Sequence, residues 1–141
     1  MKIIVLVKQV PDTTEMSVDK ENGTLKRQGV PTIINPDDLA GIETALRLKE
    51  RHGGEVHALS MGPPQADSML RELYSRGVDK CTLLSDRRFA GSDTWATSNI
   101  LSNAIDQIPF DLIIAGRQAI DGDTAQVGPQ VAEFLNIPQA T

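Results

Sequence analysis

DLIIAGRQAIDGDTAQVGPQVAEFL, residues 111–135, is the stretch whose reading decides the fold. It reads as a strand that ends at a glycine, a polar loop dense in Gly, Asp and Thr, and a helix. An apolar run closing on Gly116 ahead of such a loop exposes backbone N–H groups to an anion, so the stretch is read as a phosphate site. Gly116 and Gly122 are expected to permit positive φ and close backbone approach. Thr124 and Gln126 add a hydroxyl and an amide donor beside the helix start, where the first N–H groups have no helical acceptor and point at the ligand. Arg117 can pair with an oxyanion or with its own acidic neighbours. Asp121 and Asp123 would repel a phosphate in direct contact, so they must cap backbone amides or meet ribose hydroxyls. The same DGDT run also fits an ordinary capped turn.

Working outward, the 141 residues suit one domain with enough interior for a sheet covered on both faces. A 40% hydrophobic and 23% charged composition is ordinary for a globular protein. A net charge of −5 and 4% aromatics, with no Lys or Arg stripe, argue against a nucleic-acid partner. Cys81 is the only cysteine, which excludes an intrachain disulfide and a CxxC site and suits a reducing compartment. It reads as strand core. The IIVLV run meets Lys8 after five residues, too short for a signal core or a membrane span, and a cytoplasmic location is expected. His52 and His57 lack the company a metal site needs.

Lys2–Lys8 is aliphatic on both alternations, as in a parallel strand buried on two faces, and is read as the central strand. QVPDT breaks it with turn formers at its carboxyl end, where ligands gather in open α/β sheets. Glu15–Val30 carries Asn22-Gly23, a hairpin signal. Asn35-Pro36-Asp37-Asp38 reads as a helix start with Asn35 as N-cap. Leu39, Ile42, Ala45 and Leu46 form that helix's apolar face, and Gly53-Gly54 stop it. Glu55–Met61 is the next strand, followed by a Gly62-Pro63-Pro64 turn and a helix to Gly77 with Ala66, Met69, Leu70, Leu73 and Tyr74 at helical spacing. Asp79–Leu84 is a third strand. The SDRRFAGSD loop follows, its Arg87-Arg88 pair being either an anion site or solvated, and a helix starts at Thr94. Trp95, Ile100, Leu101, Ala104, Ile105 and Ile108 are read as its buried face. Phe110–Ala115 is the fourth strand. Pro129 delays the regular part of the last helix to about Gly128, with Val127, Val131, Ala132 and Leu135 inward. This alternation predicts a Rossmann-like α/β fold: an open parallel sheet with helices on both faces, right-handed crossovers and a hairpin insertion after the first strand.

The stretches VLVKQVPDT (5–13), INPDDLAGIETALRLKE (34–50), LSMGPPQA (59–66), LLSDRRFAGSDTWATS (83–98) and LIIAGRQAIDGDTAQVGPQVAEFLNIPQAT (112–141) resemble the β subunit of electron-transfer flavoproteins from end to end. The resemblance implies one adenine-nucleotide-binding domain over 1–141 that holds FAD or AMP. It implies an α subunit as partner and electron transfer between an acyl-CoA or related dehydrogenase and an acceptor. Carried across by motif, Asp121, Gly122, Asp123, Thr124, Ala125, Gln126, Val127 and Gly128 would hold the phosphates, with Gly116, Arg117 and Gln118 in the same cofactor set. Val7, Lys8, Gln9, Val10, Pro11, Asp12, Asn35, Ser60, Met61, Gly62, Asp93 and Thr94 would surround adenosine. The KQVPDT wording is closer to FAD-containing, electron-bifurcating members, which use NAD(H), than to AMP-only ones, so FAD is favoured. Family members continue for roughly as long again, with more sheet and a C-terminal arm, so this chain is expected to be truncated, to hold nucleotide weakly alone and to self-associate. The rival reading is a non-redox adenine-nucleotide-binding regulatory module. An adenylating enzyme would want an SGGxDS-type loop where VKQVPD stands. No G-x-S-x-G elbow, P-loop or Ser-His-Asp set supplies a nucleophile, so the chemistry would be the cofactor's.

Overall fold

The structure, a computed structural model, describes residues 1–12, 31–122 and 124–141. Four parallel strands make the sheet: β1 (Lys2–Leu6), β4 (Glu55–Met61), β5 (Lys80–Leu84) and β6 (Leu112–Ala115), in the order β5-β4-β1-β6. A second, two-stranded ribbon pairs β2 (Gln9–Pro11) antiparallel with β3 (Thr32–Ile34). The helices are α1 (Pro36–His52), α2 (Asp67–Arg76), α3 (Thr94–Ile105) and α4 (Val127–Leu135). The alternation of strand and helix thus gives the open parallel α/β sheet that the pattern predicts.

β1 lies inside the sheet because its side chains are apolar on both faces. Ile3, Val5 and Val7 pack with Ile42 and Ala45 of α1 and Met69, Leu70 and Leu73 of α2. Ile4 and Leu6 point the other way, against Leu101 and Ile105 of α3 and Val131 of α4. The two helix pairs therefore cover opposite faces. β1 leads into α1 on one face and β6 leads into α4 on the other, so the chain parts direction between two adjacent strands. In an open α/β sheet that parting leaves a crevice at the strands' carboxyl ends.

Three local expectations, on QVP, the loop glycines and Trp95, need correction. QVP is a short strand rather than a turn, and Pro11 is tolerated because a two-stranded ribbon leaves one side of each strand without a ladder partner. Neither Gly116 nor Gly122 has positive φ; among the described residues the glycines that do are Gly53, Gly54, Gly77 and Gly91. Trp95 is 60% exposed. The inward stripe of α3 is Ser98, Leu101, Ser102 and Ile105, and Trp95 sits at its edge, edge-on to Phe134 of α4 with ring centroids 5.6 Å apart. Two serines occupy the stripe because each is satisfied locally: Ser98 Oγ donates to Thr94 O (2.6 Å) and Ser102 Oγ to Ser98 O (2.6 Å). The last helix begins at Val127, close to the expected Gly128, and Pro129 falls in its first turn, where no helical hydrogen bond is lost. Cys81 is half-buried, its Sγ 3.4 Å from Leu70 O, and burial raises its thiol pKa. The Asn22-Gly23 hairpin and Asp123 lie outside the described residues.

Candidate functional site

A cleft of about 1110 Å³ opens at the carboxyl ends of the strands. One rim is the loop from Gly116 to Gly128, between β6 and α4, and the other is the loop from Ser85 to Asp93, between β5 and α3. Leu6, Val7 and Lys8 form the floor, with Leu59, Met61, Gly62 and Pro63 at the end of β4. Its lining is mostly apolar, as in small-molecule sites, with polar groups gathered on the Gly116–Gly128 side.

That side is held by side chains from the first turn of α1. Asn35 does not cap α1 with its side chain. Its Nδ2 donates to Gln118 O (2.8 Å) and its Oδ1 accepts from Ile120 N–H (3.0 Å). The helix start still forms, because Pro36 presets φ, Asp37 and Asp38 suit the positive helix end, and the Asn35 carbonyl accepts from Leu39 N–H (3.1 Å). Asp38 is almost fully buried and accepts from Lys8 N–H at 2.9 Å. Burial pushes its carboxyl up to about 6, while the Lys8 amide, the Asn35 side chain and the Gly116 amide favour the charged form and Asp37 opposes it. Gly116 owes its lack of a side chain to this carboxylate: a Cβ there would overlap Asp38 Oδ1 and lie 2.9 Å from the Asp37 carbonyl carbon.

Asp121, an awkward neighbour for an anion, turns to Lys8, whose Nζ donates to Asp121 Oδ1 at 2.9 Å. Ahead of α4, Ala125 has φ 55° and Gln126 is right-handed. That alternation turns successive N–H groups to one side. Among the described residues no acceptor meets the N–H groups of Val127 and Gly128. The Gln126 Oε1 accepts from Thr94 Oγ1 at 3.1 Å, which ties the starts of α3 and α4.

Of the residues selected from the sequence, Val7, Lys8, Asn35, Met61, Gly62, Asp93 and Thr94 line this cleft, as do Gly116, Arg117, Gln118, Gly122, Thr124, Ala125, Gln126, Val127 and Gly128. Gln9, Val10, Pro11 and Asp12 do not, because they belong to the ribbon that leads away from β1. Asp121 stands behind the rim on Lys8, and Ser60 faces the interior, its Oγ buried without a partner among the described residues. Sequence reasoning missed Asp38, Phe89 and Gly91. Gly91 has φ 74° and carried a signal in its glycine. Asp38 looked like a helix-dipole residue, and its burial depends on β6. Arg88 folds back on Asp86 (2.8 Å), which leaves Arg87 at the cleft. The described residues contain no cluster able to hold a metal ion. Among the described residues no helix is long and apolar enough to cross a membrane.

The electron transfer flavoprotein domain model matches residues 22–141. The chain belongs to the electron transfer flavoprotein family. It is 57% identical to the electron transfer flavoprotein subunit beta of Thermoanaerobacterium thermosaccharolyticum, over all of this chain and 54% of that protein. It is 54% identical to subunit CarD of the caffeyl-CoA reductase-Etf complex of Acetobacterium woodii, over all of this chain and 55% of that protein. Identity to the acryloyl-CoA reductase electron transfer subunit gamma of Anaerotignum propionicum is 56%, over all of this chain and 54% of that protein. The chain spans about half the length of the curated relatives it matches. The resemblance carried by the GRQAIDGDTAQVGP block and its companions is thus a membership of the family, on its β-subunit side.

Proposed function

We propose that the cleft binds FAD, with the phosphates against the Asp121–Gly128 loop, and that this electron transfer flavoprotein β-type chain carries electrons in the cytoplasm together with an α subunit. The observation that carries the reading is the pair of N–H groups at Val127 and Gly128 that meet no acceptor among the described residues, at a helix start on the rim of a crevice between diverging strands. Their donor chemistry fits a phosphate, and Lys8 holds Asp121, the described carboxylate of that loop, in an ion pair. The apolar wall of Met61, Pro63, Phe89 and Leu101 suits a planar ring. The cleft's volume of about 1110 Å³ lies just above the usual range of small-molecule pockets, roughly 300–1,000 Å³, which favours a dinucleotide over AMP. The flavin, when bound, supplies the redox chemistry, and the chain's residues bind it, orient it and exclude water.

The names of two relatives mention reductases of CoA thioesters. We read this chain as serving an acyl-CoA or related dehydrogenase, with NAD(H) as hydride donor in an electron-bifurcating system. The test is to purify the full-length protein with its α subunit, release the nucleotide and identify it. Visible flavin absorption with FAD assigned to this subunit is the expected result. Release of AMP from this subunit overturns the FAD assignment, and an absence of nucleotide overturns the site. Gly122→Val sharpens the test, since a Cβ at Gly122 meets nothing within 4 Å of the protein. This variant should keep the parent's stability and lose nucleotide affinity more than Asp121→Asn does. Equal affinity for Gly122→Val and the parent removes the loop from the site.

A further inference from the structure

We propose that Asn35 and Asp38 are positioning residues that clamp the loop after β1 to the loop after β6, and so set the shape of the nucleotide cleft. The inference rests on the nucleotide reading of that cleft and adds to it two residues whose apparent work, starting a helix, lies elsewhere.

The geometry is particular. Asp38 reaches across from α1 to the backbone of Lys8, where β1 ends, and crowds Gly116, where β6 ends. Asn35 spends both halves of its carboxamide on the next turn of the same loop, at Gln118 O and Ile120 N–H. It is 1% exposed. The Asn35 N–H itself donates to Lys8 O at 2.9 Å, so one helical turn touches both loops through main chain and side chain. A carboxamide is the only short side chain that offers a donor and an acceptor side by side in fixed geometry. Serine has too little reach to serve both partners.

The groups facing Asp38 are few. Asp37 on its own helix opposes its charge. The Lys8 ammonium is engaged by Asp121 on the loop. Arg117 follows Gly116 and is exposed, with no partner among the described residues. The ionised carboxylate therefore depends on the Lys8 and Gly116 backbone N–H groups and on the Asn35 side chain. Protonation turns one of its oxygens from acceptor to donor, so the clamp loosens in acid.

Two measurements on the full-length protein test this. In the nucleotide-free state, amide hydrogen exchange at Lys8 and Ile120 reads the clamp directly. In FAD titrations, affinity is followed between about pH 5 and about pH 8. Asn35→Ala and Asn35→Ser should both speed Ile120 exchange by about tenfold and weaken FAD by about tenfold, the loss of roughly one hydrogen bond. A helix-capping role predicts instead that Asn35→Ser behaves like the parent, and that result overturns the proposal. For the parent, FAD affinity should fall on acidification through about 6. Asp38→Asn should remove that dependence, and an Asp38→Asn protein that keeps the parent's pH profile also overturns the proposal. If Asp38→Asn fails to fold, the two Asn35 variants carry the decision. A parent that binds no nucleotide defeats the functional reading alone, since the exchange arm still decides the clamp.

Discussion

The two rims of the cleft are built by opposite means. The Gly116–Gly128 rim is tied to distant parts of the chain: to Asn35 across 83 and 85 residues, and to Lys8 across 113. The Ser85–Asp93 rim is tied chiefly to itself, through Asp86 to the Arg88 amide (2.9 Å), Ser92 Oγ to Phe89 O (2.7 Å), and Asp93 to Ala96 at the start of α3 (2.7 Å). Long-range ties fix a loop relative to the sheet, whereas local ties fix only its own turn. Under the proposed function, the first rim would be the preorganised anion side and the second would adjust its apolar residues to a ring.

The largest blow to this contrast should come from Gly116→Val. Its side chain would overlap Asp38 Oδ1 and press on the Asp37 backbone, neither of which is a flexible side-chain end free to move. A loss of about 3 kcal/mol or failure to fold is expected in urea denaturation. Full stability would show that the rim is not fixed by α1.

Next in size is the pH dependence carried by Asp38. Its folded pKa, about 6, lies above the ordinary 3.8, so the folded state binds the extra proton. The contribution to stability is complete below the unfolded value and is lost as pH rises through about 6, by up to about 3 kcal/mol across that window. Denaturation midpoints of the parent should therefore gain from this group on acidification from about pH 7 toward pH 4, even as the clamp loosens, and Asp38→Asn should flatten that part of the slope. Parallel pH profiles for the two proteins would refute it.

Asn35→Ala should cost about 1–2 kcal/mol, because Gln118 O and Ile120 N–H lose a shared partner in a part-buried place. Asn35→Ser should cost nearly as much. On the other rim, Arg88→Ala should leave the thermal midpoint unchanged, since its pairing with Asp86 is local and exposed. A shift there comparable with that of Asn35→Ala would erase the distinction between the rims.

The sequence by itself determined the order of the helices and the four parallel strands, though not the β2–β3 ribbon, as well as the interior place of β1 and the family, because each is written in short-range pattern. Five apolar residues in IIVLV demand cover on both faces, and Asp93 before TWATS caps α3 as its type predicts, accepting from Ala96 N–H. Only the tertiary structure decided what Asn35, Asp38, Gly116, Trp95 and Asp121 do. Asn35 has the composition of a helix cap, yet β6 brings Gln118 and Ile120 within reach and its carboxamide goes there. Trp95 looks like core, yet the stripe of α3 turns serines inward. Asp121 looks repulsive to an anion until β1 sets Lys8 beside it. Local preference among these groups is worth about 1 kcal/mol, and a partner from another strand or helix is worth as much, so position in space settles each case.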